Sequence, residues 1–271
     1  MHPMERLRYV ARASSPSQTM LVEETAGALA AIDGDPASLV MASRRLLAGH
    51  PLSGPMWWLT SRVLTSGEPR REAWQAVEEI GQDQTARQLG YSLPEGATVC
   101  VLGWPEIVAQ ALPSRGDLDV LVVDALGEAS GLIRRLEMVD MIATDVPESG
   151  LGAAAAGSDL VVVEASAAGP DGFVAIAGTH AAAAVAHHAG VPVWLVAGVG
   201  RWLPRRVWEA IADRLDQSAD PWDCDDEVVP LDLIDQVVGP DGLASVPEAV
   251  GRTDCPIAPE LFRQGVVDSN G

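Results

Sequence analysis

Three acidic side chains and one serine follow short apolar runs that are typical of buried strands. Asp124 and Asp145 each come directly after such a run, and Glu164 and Ser166 close a third. The carboxyl ends of parallel strands meet at one edge of a sheet, so these side chains are predicted to converge in a ligand-binding crevice. Without a basic partner, such carboxylates favour a neutral or cationic ligand, or a metal ion, over a sugar phosphate. The alternative is that they cap helices or support the structure, as Asp and Ser often do.

Glu164 is the main candidate because its strand is predicted to be central. Repulsion from Asp124 and Asp145 should raise the pKa of at least one carboxyl group and leave it able to exchange a proton near neutral pH. Glu164→Gln is then expected to abolish binding or turnover with little change in stability. If Glu164 is instead buried against an arginine and away from any cavity, its role is structural.

The predicted elements fall into two parts. From Met20 to about Tyr91 the apolar residues follow helical periodicity, whereas short β-rich runs separated by helical segments begin near Ala97. We therefore predict an α/β protein, with a helical N-terminal domain over residues 1–95 and a Rossmann-like domain over residues 96–271 whose parallel sheet carries helices on both faces. The predicted strands are Thr98 to Leu102, Asp119 to Val123, Met141 to Thr144, Leu160 to Val163 and Pro192 to Ala197.

Composition excludes several classes of function. The 271-residue chain is 48% hydrophobic, which is ample for a core, and it contains no lysine. Schiff-base and P-loop chemistry are therefore excluded. A formal charge of −20 argues against binding to nucleic acid or to anionic membranes. The acidic segment 216–235 is predicted to be a solvated loop, with a partner-binding patch as the alternative, and Arg201, Arg205 and Arg206 could form a local anion-binding patch.

The sequence points to no metal ion, cofactor or membrane anchor. The three cysteines are widely spaced and odd in number, which predicts unpaired thiols in a reducing compartment. No apolar run approaches the roughly 20 residues of a membrane span, and residues 1 to 20 are polar, lack a signal-peptide core and are predicted to be loosely held. We expect a cytoplasmic protein. The Ala-, Arg- and Gly-rich composition is typical of a bacterium with a high-GC genome.

A second set of candidate residues lies in glycine-containing loops. Gly103 and Trp104 follow the first predicted strand, and Gly178 and Thr179 open an Ala-rich helix after a Gly-rich passage. Backbone N–H groups at Gly178-Thr179 could bind an anion at the helix start. Trp104 could stack on a ligand, and core packing is its alternative role.

These segments resemble one known family. It unites methylthioribose-1-phosphate isomerase, ribose-1,5-bisphosphate isomerase and the alpha, beta and delta subunits of eukaryotic translation initiation factor 2B. The resemblance implies a helical N-terminal domain, a Rossmann-like domain and assembly into dimers or larger oligomers, so a homodimer is expected here. The matching segments, in order, are Val101 to Pro105, Asp124 to Gly127, Glu164 to Ser166, Gly178-Thr179 and the tail from Thr253 to Leu261.

The resemblance also implies that the isomerase machinery is lost. Gly103 stands where the isomerases have a catalytic cysteine, and Ser166 stands where they have a catalytic aspartate. Leu126 replaces an arginine that helps to hold the substrate phosphate, and the lysine that precedes Gly178-Thr179 in the family is absent. Removing one such group commonly costs about 10² to 10⁴ in rate. An aldose-ketose isomerase acting on a ribose 1-phosphate derivative is therefore the least expected function.

Two hypotheses of different classes remain. The first is a relative without the family's catalytic groups that binds an unidentified small molecule or serves in an assembly, which the intact frame favours. The second is an enzyme of altered chemistry that uses the strand-end carboxylates as acid or base, which the polar residues at the strand ends favour. The expected catalytic residues are Glu164, Asp124, Asp145 and Ser166, and the expected ligand-binding residues are Gly103, Trp104, Gly178 and Thr179.

Overall fold

The structure, a computed structural model, describes residues 17–32, 34–216 and 220–262. The predicted loosely held N-terminal segment lies mostly outside these residues. The first part of the described chain is helical, and its helix starts follow from the sequence. The Asp35 side chain accepts a hydrogen bond from the Ser38 amide, and a proline follows it at the first helical position. The helices are α1 Gln18–Ala30, α2 Pro36–Gly49, α3 Gly54–Thr65, α4 Pro69–Gly81 and α5 Thr85–Ser92.

Strands and helices alternate after α5. The strands are β1 Thr98–Leu102, β2 Asp119–Val123, β3 Ile142–Val146, β4 Leu160–Glu164, β5 Ala167–Ala168, β6 Gly172–Ile176, β7 Val193–Val196, β8 Asp226–Pro230, β9 Gln236–Gly239 and β10 Gly242–Ala244. The helices are α6 Glu106–Ala111, α7 Ala129–Glu137, α8 Leu151–Gly157, α9 Thr179–Ala189, α10 Arg205–Asp216 and α11 Val246–Val250.

Seven of these strands form one sheet, in the order β10-β9-β7-β4-β1-β2-β3. All neighbouring pairs are parallel except β9 and β10. The central strand β4 is apolar and buried up to Glu164 at its end, as expected for a strand covered on both faces. The predicted α/β class, with a helical N-terminal part and a mostly parallel sheet flanked by helices, is confirmed.

The strand order places a crevice between β1 and β4. The chain runs outward from β1 through β2 to β3 and then returns to β4 on the other side of β1. Loops from neighbouring strands diverge at such a switch point, and ligands of open α/β sheets bind there, outside the carboxyl ends of the strands. Leu102 and Glu164, the last residues of β1 and β4, are therefore at the edge where a site is expected.

Part of the chain differs from the sequence prediction. The third strand is Ile142–Val146 rather than Met141 to Thr144, because the Met141 amide still donates to the Leu136 carbonyl of α7 at 3.1 Å. Strands β5, β6, β8, β9 and β10 were not predicted. The first three form a separate antiparallel sheet in the order β5-β6-β8, and β9 and β10 extend one edge of the main sheet. Strand β8 lies in the acidic segment, so the described part of that segment is not simply a solvated loop.

The helical part shares its hydrophobic core with the second half of the chain. One cluster of buried residues joins α1 to α4 with β5, β6 and α10, through Trp57 and Trp58 on one side and Val207 and Trp208 on the other. The Trp57 ring also stacks on Phe262, with ring centroids 5.9 Å apart. The junction is tight at Gly54, where an added Cβ atom would lie 2.9 Å from the Ser166 carbonyl oxygen. This junction forms one wall of the crevice.

Candidate functional site

A cleft of about 880 Å³ opens at the carboxyl ends of β1 and β4. One wall comes from the helical part, including residues 50–53 and the start of α1. The opposite wall comes from Trp104 to Glu106 and from α7, and acidic residues of β8 and the loop before it complete the lining. The cleft lies at the switch point of the sheet, and its volume is within the range of about 300–1,000 Å³ that is common for ligand pockets.

Glu164 lines this cleft but is already bound on both carboxylate oxygens. Its Oε2 accepts hydrogen bonds from the Ile107 and Val108 amides at 2.7 and 3.0 Å, at the start of α6. Its Oε1 lies 2.9 Å from Nη1 of Arg201, and the side chain is only 7% exposed. Burial raises the pKa of Glu164, whereas the charge of Arg201 and the two amides act in the opposite direction. The carboxylate therefore holds a helix and an arginine in place.

Arg201 is the centre of a buried polar network. Its side chain is 5% exposed, and Nη1 also donates to the Ala165 carbonyl oxygen. Its Nη2 lies 4.0 Å from Oε2 of Glu106, and the same oxygen accepts a hydrogen bond from the Gln18 amide at 2.9 Å. The network thus links the first helix to α6, β4 and the loop after β7.

The predicted convergence of three strand-end carboxylates is not present. Asp124 accepts a hydrogen bond from the Ala129 amide at 3.1 Å and so caps α7. Asp145 is exposed on β3, at the edge of the sheet, three strands or about 14 Å from the strand of Glu164. Neither residue lines the cleft. Burial is the largest cause of the raised pKa of Glu164, and the acidic neighbour that adds to it is Glu106 rather than Asp124 or Asp145.

A different acidic group faces the cleft. Glu128, Asp225 and Asp226 all line it, and within the described ranges their carboxylates have no hydrogen bond or ion pair to another side chain. Burial raises the pKa of Asp226 to about 6, and the charges of Asp225 and Glu128 add to this. An added Cβ atom at Gly103 would lie 3.5 Å from Oε2 of Glu128, so this group reaches over the end of β1.

Some of the remaining predicted residues line the cleft, and the others only shape the loops beside it. Trp104, Ser166 and Thr179 line the cleft, whereas Gly103 and Gly178 shape loops beside it, both with positive φ. The Trp104 ring packs against α7 at Gly131 and stays 43% exposed. An added Cβ atom at Gly131 would lie 2.0 Å from that ring, so only glycine permits this contact.

The predicted anion site at the start of α9 is already filled by the chain itself. The His180 amide donates to Oε1 of Glu227 at 2.8 Å, and the Thr179 hydroxyl donates to the Ile176 carbonyl at 2.7 Å. Glu227 belongs to β8, so a carboxylate of the acidic segment occupies the positive end of this helix. An external phosphate would have to displace it.

The predicted basic patch is likewise dispersed. Arg205 pairs with Asp171 at 2.6 Å on the surface, and Arg206 lies over the Phe262 ring at 4.9 Å. Arg201 alone of the three lines the cleft. Arg134 is the other guanidinium in the lining, and its Nε donates to the Ser130 carbonyl of its own helix at 3.1 Å.

The sequence prediction named Arg201 only as part of a basic patch, not as the partner of Glu164, and it missed the pair Asp225-Asp226. Arg201 follows the strand next to β4, so the order of the strands, which the sequence does not give, was the signal needed to pair it with Glu164. Asp225 and Asp226 lay in a charge run that is usually a solvated surface. Their signal was the short apolar stretch Val228-Val229 directly after them.

No metal or membrane feature stands out in the part of the chain that the structure describes. No three His, Cys, Asp or Glu side chains are grouped there so that they could hold a metal ion. None of the described helices is both long enough and apolar enough to span a bilayer.

Comparison with known proteins shows the fold. No family model and no curated protein matches the chain. Among solved structures, the translation initiation factor eIF-2B of Pyrococcus horikoshii OT3 is similar with a TM-score of 0.76 and 13% identity, over 92% of this chain and 98% of that one. The eIF2B beta subunit of Chaetomium thermophilum gives a TM-score of 0.75 and 16% identity, over 95% of this chain and 92% of that one. A chain of the tetrameric eIF2B-beta2-delta2 complex of C. thermophilum gives a TM-score of 0.73 and 18% identity, over 92% of this chain and 92% of that one. The chain has the fold of eIF2B subunits, as the sequence resemblance implied.

Proposed function

We propose that this chain is a noncatalytic relative of the eIF2B subunits and sugar-phosphate isomerases that binds a small neutral or cationic molecule in the cleft. The acidic group Glu128, Asp225 and Asp226 carries the proposal, because its carboxylates face the cavity without a basic partner among the described residues. The buried guanidinium of Arg201 is already engaged by Glu164. The lining thus favours cations and hydroxyl groups over phosphates.

The positions that match the family's catalytic residues support this proposal. Ser166 lines the cleft and offers a hydroxyl where the resemblance implies a catalytic aspartate. Gly103 has φ 59°, and an added Cβ atom would lie 2.8 Å from Cδ1 of Ile176, so a cysteine there would be strained. Leu126, at the position of the phosphate-binding arginine, is apolar and 51% exposed in the cleft lining.

The test compares phosphorylated and unphosphorylated ligands. We expect the protein neither to isomerise nor to bind methylthioribose 1-phosphate or ribose 1,5-bisphosphate, because their phosphates meet unpaired carboxylates. Methylthioribose and small organic amines should bind more tightly, as measured by isothermal titration calorimetry beside an isomerase assay. The double variant Asp225→Asn/Asp226→Asn should weaken amine binding. Turnover of either phosphate near one per second would contradict the proposal (the order of ordinary enzymes).

One observation favours the second candidate, an enzyme of altered chemistry. Asp226 has a pKa of about 6 in a cleft, which suits a group that exchanges a proton near neutral pH. The acid or base would then be Asp226 rather than Glu164, Asp124 or Asp145. If a ligand found by calorimetry is consumed by the parent protein and not by Asp226→Asn, this candidate replaces the noncatalytic one.

We also propose that the protein is a cytoplasmic homodimer. The support is its fold, since one of the similar structures is a tetrameric complex of eIF2B beta and delta subunits. Static light scattering at micromolar concentration should give twice the mass of the 28.4 kDa chain. A measured mass equal to that of one chain at micromolar concentration would refute the dimer.

A further inference from the structure

The cleft has an apolar side in addition to its acidic group. Trp104, Leu126 and Ile176 line it, and each of them keeps part of its surface exposed. The loops that carry them meet at Gly103, where an added Cβ atom would lie 2.8 Å from Cδ1 of Ile176 and 3.6 Å from the Ala125 carbonyl oxygen. The end of β1, the turn before α7 and the end of β6 therefore present apolar side chains to one part of the cavity.

Leu126 is held in a backbone conformation that costs free energy. Its φ is 56°, and the other non-glycine residue with positive φ in the described chain is Asp140, whose side chain tolerates this region better. Leu126 and Gly127 are the central residues of a turn in which the Glu128 amide donates to the Ala125 carbonyl at 3.2 Å. Positive φ at both positions favours Asn-Gly, so a leucine here is an outlier. Because half of this side chain is exposed, core packing does not compensate for the strain, and such residues are concentrated at ligand-binding sites.

Trp104 is fixed from one side before any ligand binds. Its ring packs against Gly131 of α7, where an added Cβ atom would lie 2.0 Å away, and its exposed part lines the cleft. A side chain that is already positioned loses little conformational entropy when a ligand packs on it. A second ring gains the most from such a contact, since aromatic pairs contribute beyond the area that they bury.

We propose that the ligand is an aromatic amine whose ring binds against Trp104 and Leu126 and whose ammonium group lies toward Glu128, Asp225 and Asp226. The position of the ammonium group rests on the proposed function, whereas the position of the ring rests on the two apolar side chains. The two parts of the ligand are adjacent in this arrangement, because Glu128 closes the turn that presents Leu126. A small molecule with one apolar end and one charged end is thus matched along its length.

Three probes separate the contribution of the ring from that of the charge. Phenethylamine has both features, butylamine has the charge without the ring, and phenethyl alcohol has the ring without the charge. In isothermal titration calorimetry we expect phenethylamine to bind about tenfold more tightly than butylamine, on the order of what one buried and stacked ring contributes. Trp104→Ala should abolish this preference. An equal affinity of the parent protein for the two amines would overturn the proposal.

Leu126→Asn distinguishes a ligand contact from a structural role. It creates the Asn-Gly pair that the turn favours, so the unfolding midpoint should rise by about 2–4 °C while both aromatic probes bind more weakly. Met138→Ala removes another exposed apolar side chain, one that does not line the cleft, and should leave both affinities unchanged. A stabilised Leu126→Asn protein that binds the aromatic probes as the parent does would contradict the role of Leu126.

The same probes keep this inference distinct from the proposed function. If phenethyl alcohol binds through Trp104 and as tightly as phenethylamine, the site for the ring is supported and the preference for cations is wrong. If both amines bind equally and phenethyl alcohol does not bind, the preference for cations is supported and the site for the ring is wrong. If none of the three binds, both are wrong.

Discussion

Glu164→Gln should lower the free energy of unfolding by about 3 kcal/mol, because it leaves the buried guanidinium of Arg201 with only the more distant carboxylate of Glu106, at 4.0 Å. The substitution also weakens the two hydrogen bonds that Glu164 accepts from the start of α6. This expectation corrects the one drawn from sequence, which held that stability would change little. The loss is measured by urea unfolding followed through circular dichroism at neutral pH.

A matched pair of controls separates burial from charge. Asp171→Asn breaks an ion pair with Arg205 that is exposed on both sides, and it should leave the unfolding midpoint almost unchanged. Glu164→Gln/Arg201→Met should recover part of the loss, since the unpaired buried charge is then removed. If Glu164→Gln proves as stable as the parent and yet loses ligand binding, Glu164 acts on the ligand and the original site hypothesis is restored.

Asp226→Asn should stabilise the protein at pH 7.5 by about 1–2 kcal/mol once solvent screening is allowed for, and by much less at pH 4. Its pKa is raised from 3.8 to about 6, so the folded protein holds this proton more tightly than the unfolded chain does. Stability from this group is complete at low pH and is lost as pH rises from about 4 to 6. Above that range the ionised carboxylate destabilises the fold.

The expected loss of stability with rising pH is checked by measuring the free energy of unfolding between pH 4 and pH 8. The parent should lose stability across the window relative to Asp226→Asn, and the two curves should run parallel above it. Asp232→Asn, an exposed change in the same segment, should follow the parent curve. A variant that is less stable than the parent at pH 7.5 would show that Asp226 has a favourable ionic partner.

The strands that carry the site were predictable because burial on both faces demands continuous apolar runs. Val99, Val120 and Val161 belong to such runs, and all three lie in the parallel sheet. Strand β8 was missed because its first residues are acidic and only its later part is apolar. The division into domains at residues 1–95 and 96–271 stays a prediction, which limited proteolysis can test.

The candidate site was only partly predictable because its contacts join distant parts of the sequence. Glu164 and Ser166 could be placed at the cleft from the strand that they follow. Their partners could not, since Arg201 and Gly54 approach them only through the order of the strands and the packing of α3. The resemblance to a known family gave the fold, but it gave no information on the acidic group, which lies outside the matched segments.

The core that joins the N-terminal helices to α10 cannot be completed until late in synthesis, because its two halves are far apart in the sequence. Trp57 leaves the ribosome about 150 residues before Trp208, a member of the same buried cluster, and about 200 residues before Phe262, on which its ring stacks. At roughly 5–20 residues per second, the helices wait on the order of 10–40 seconds for their partners. During that wait two neighbouring tryptophans are without their final cover. Nascent chains of this protein are therefore expected to depend on chaperones that shield apolar helices until the last residues have emerged.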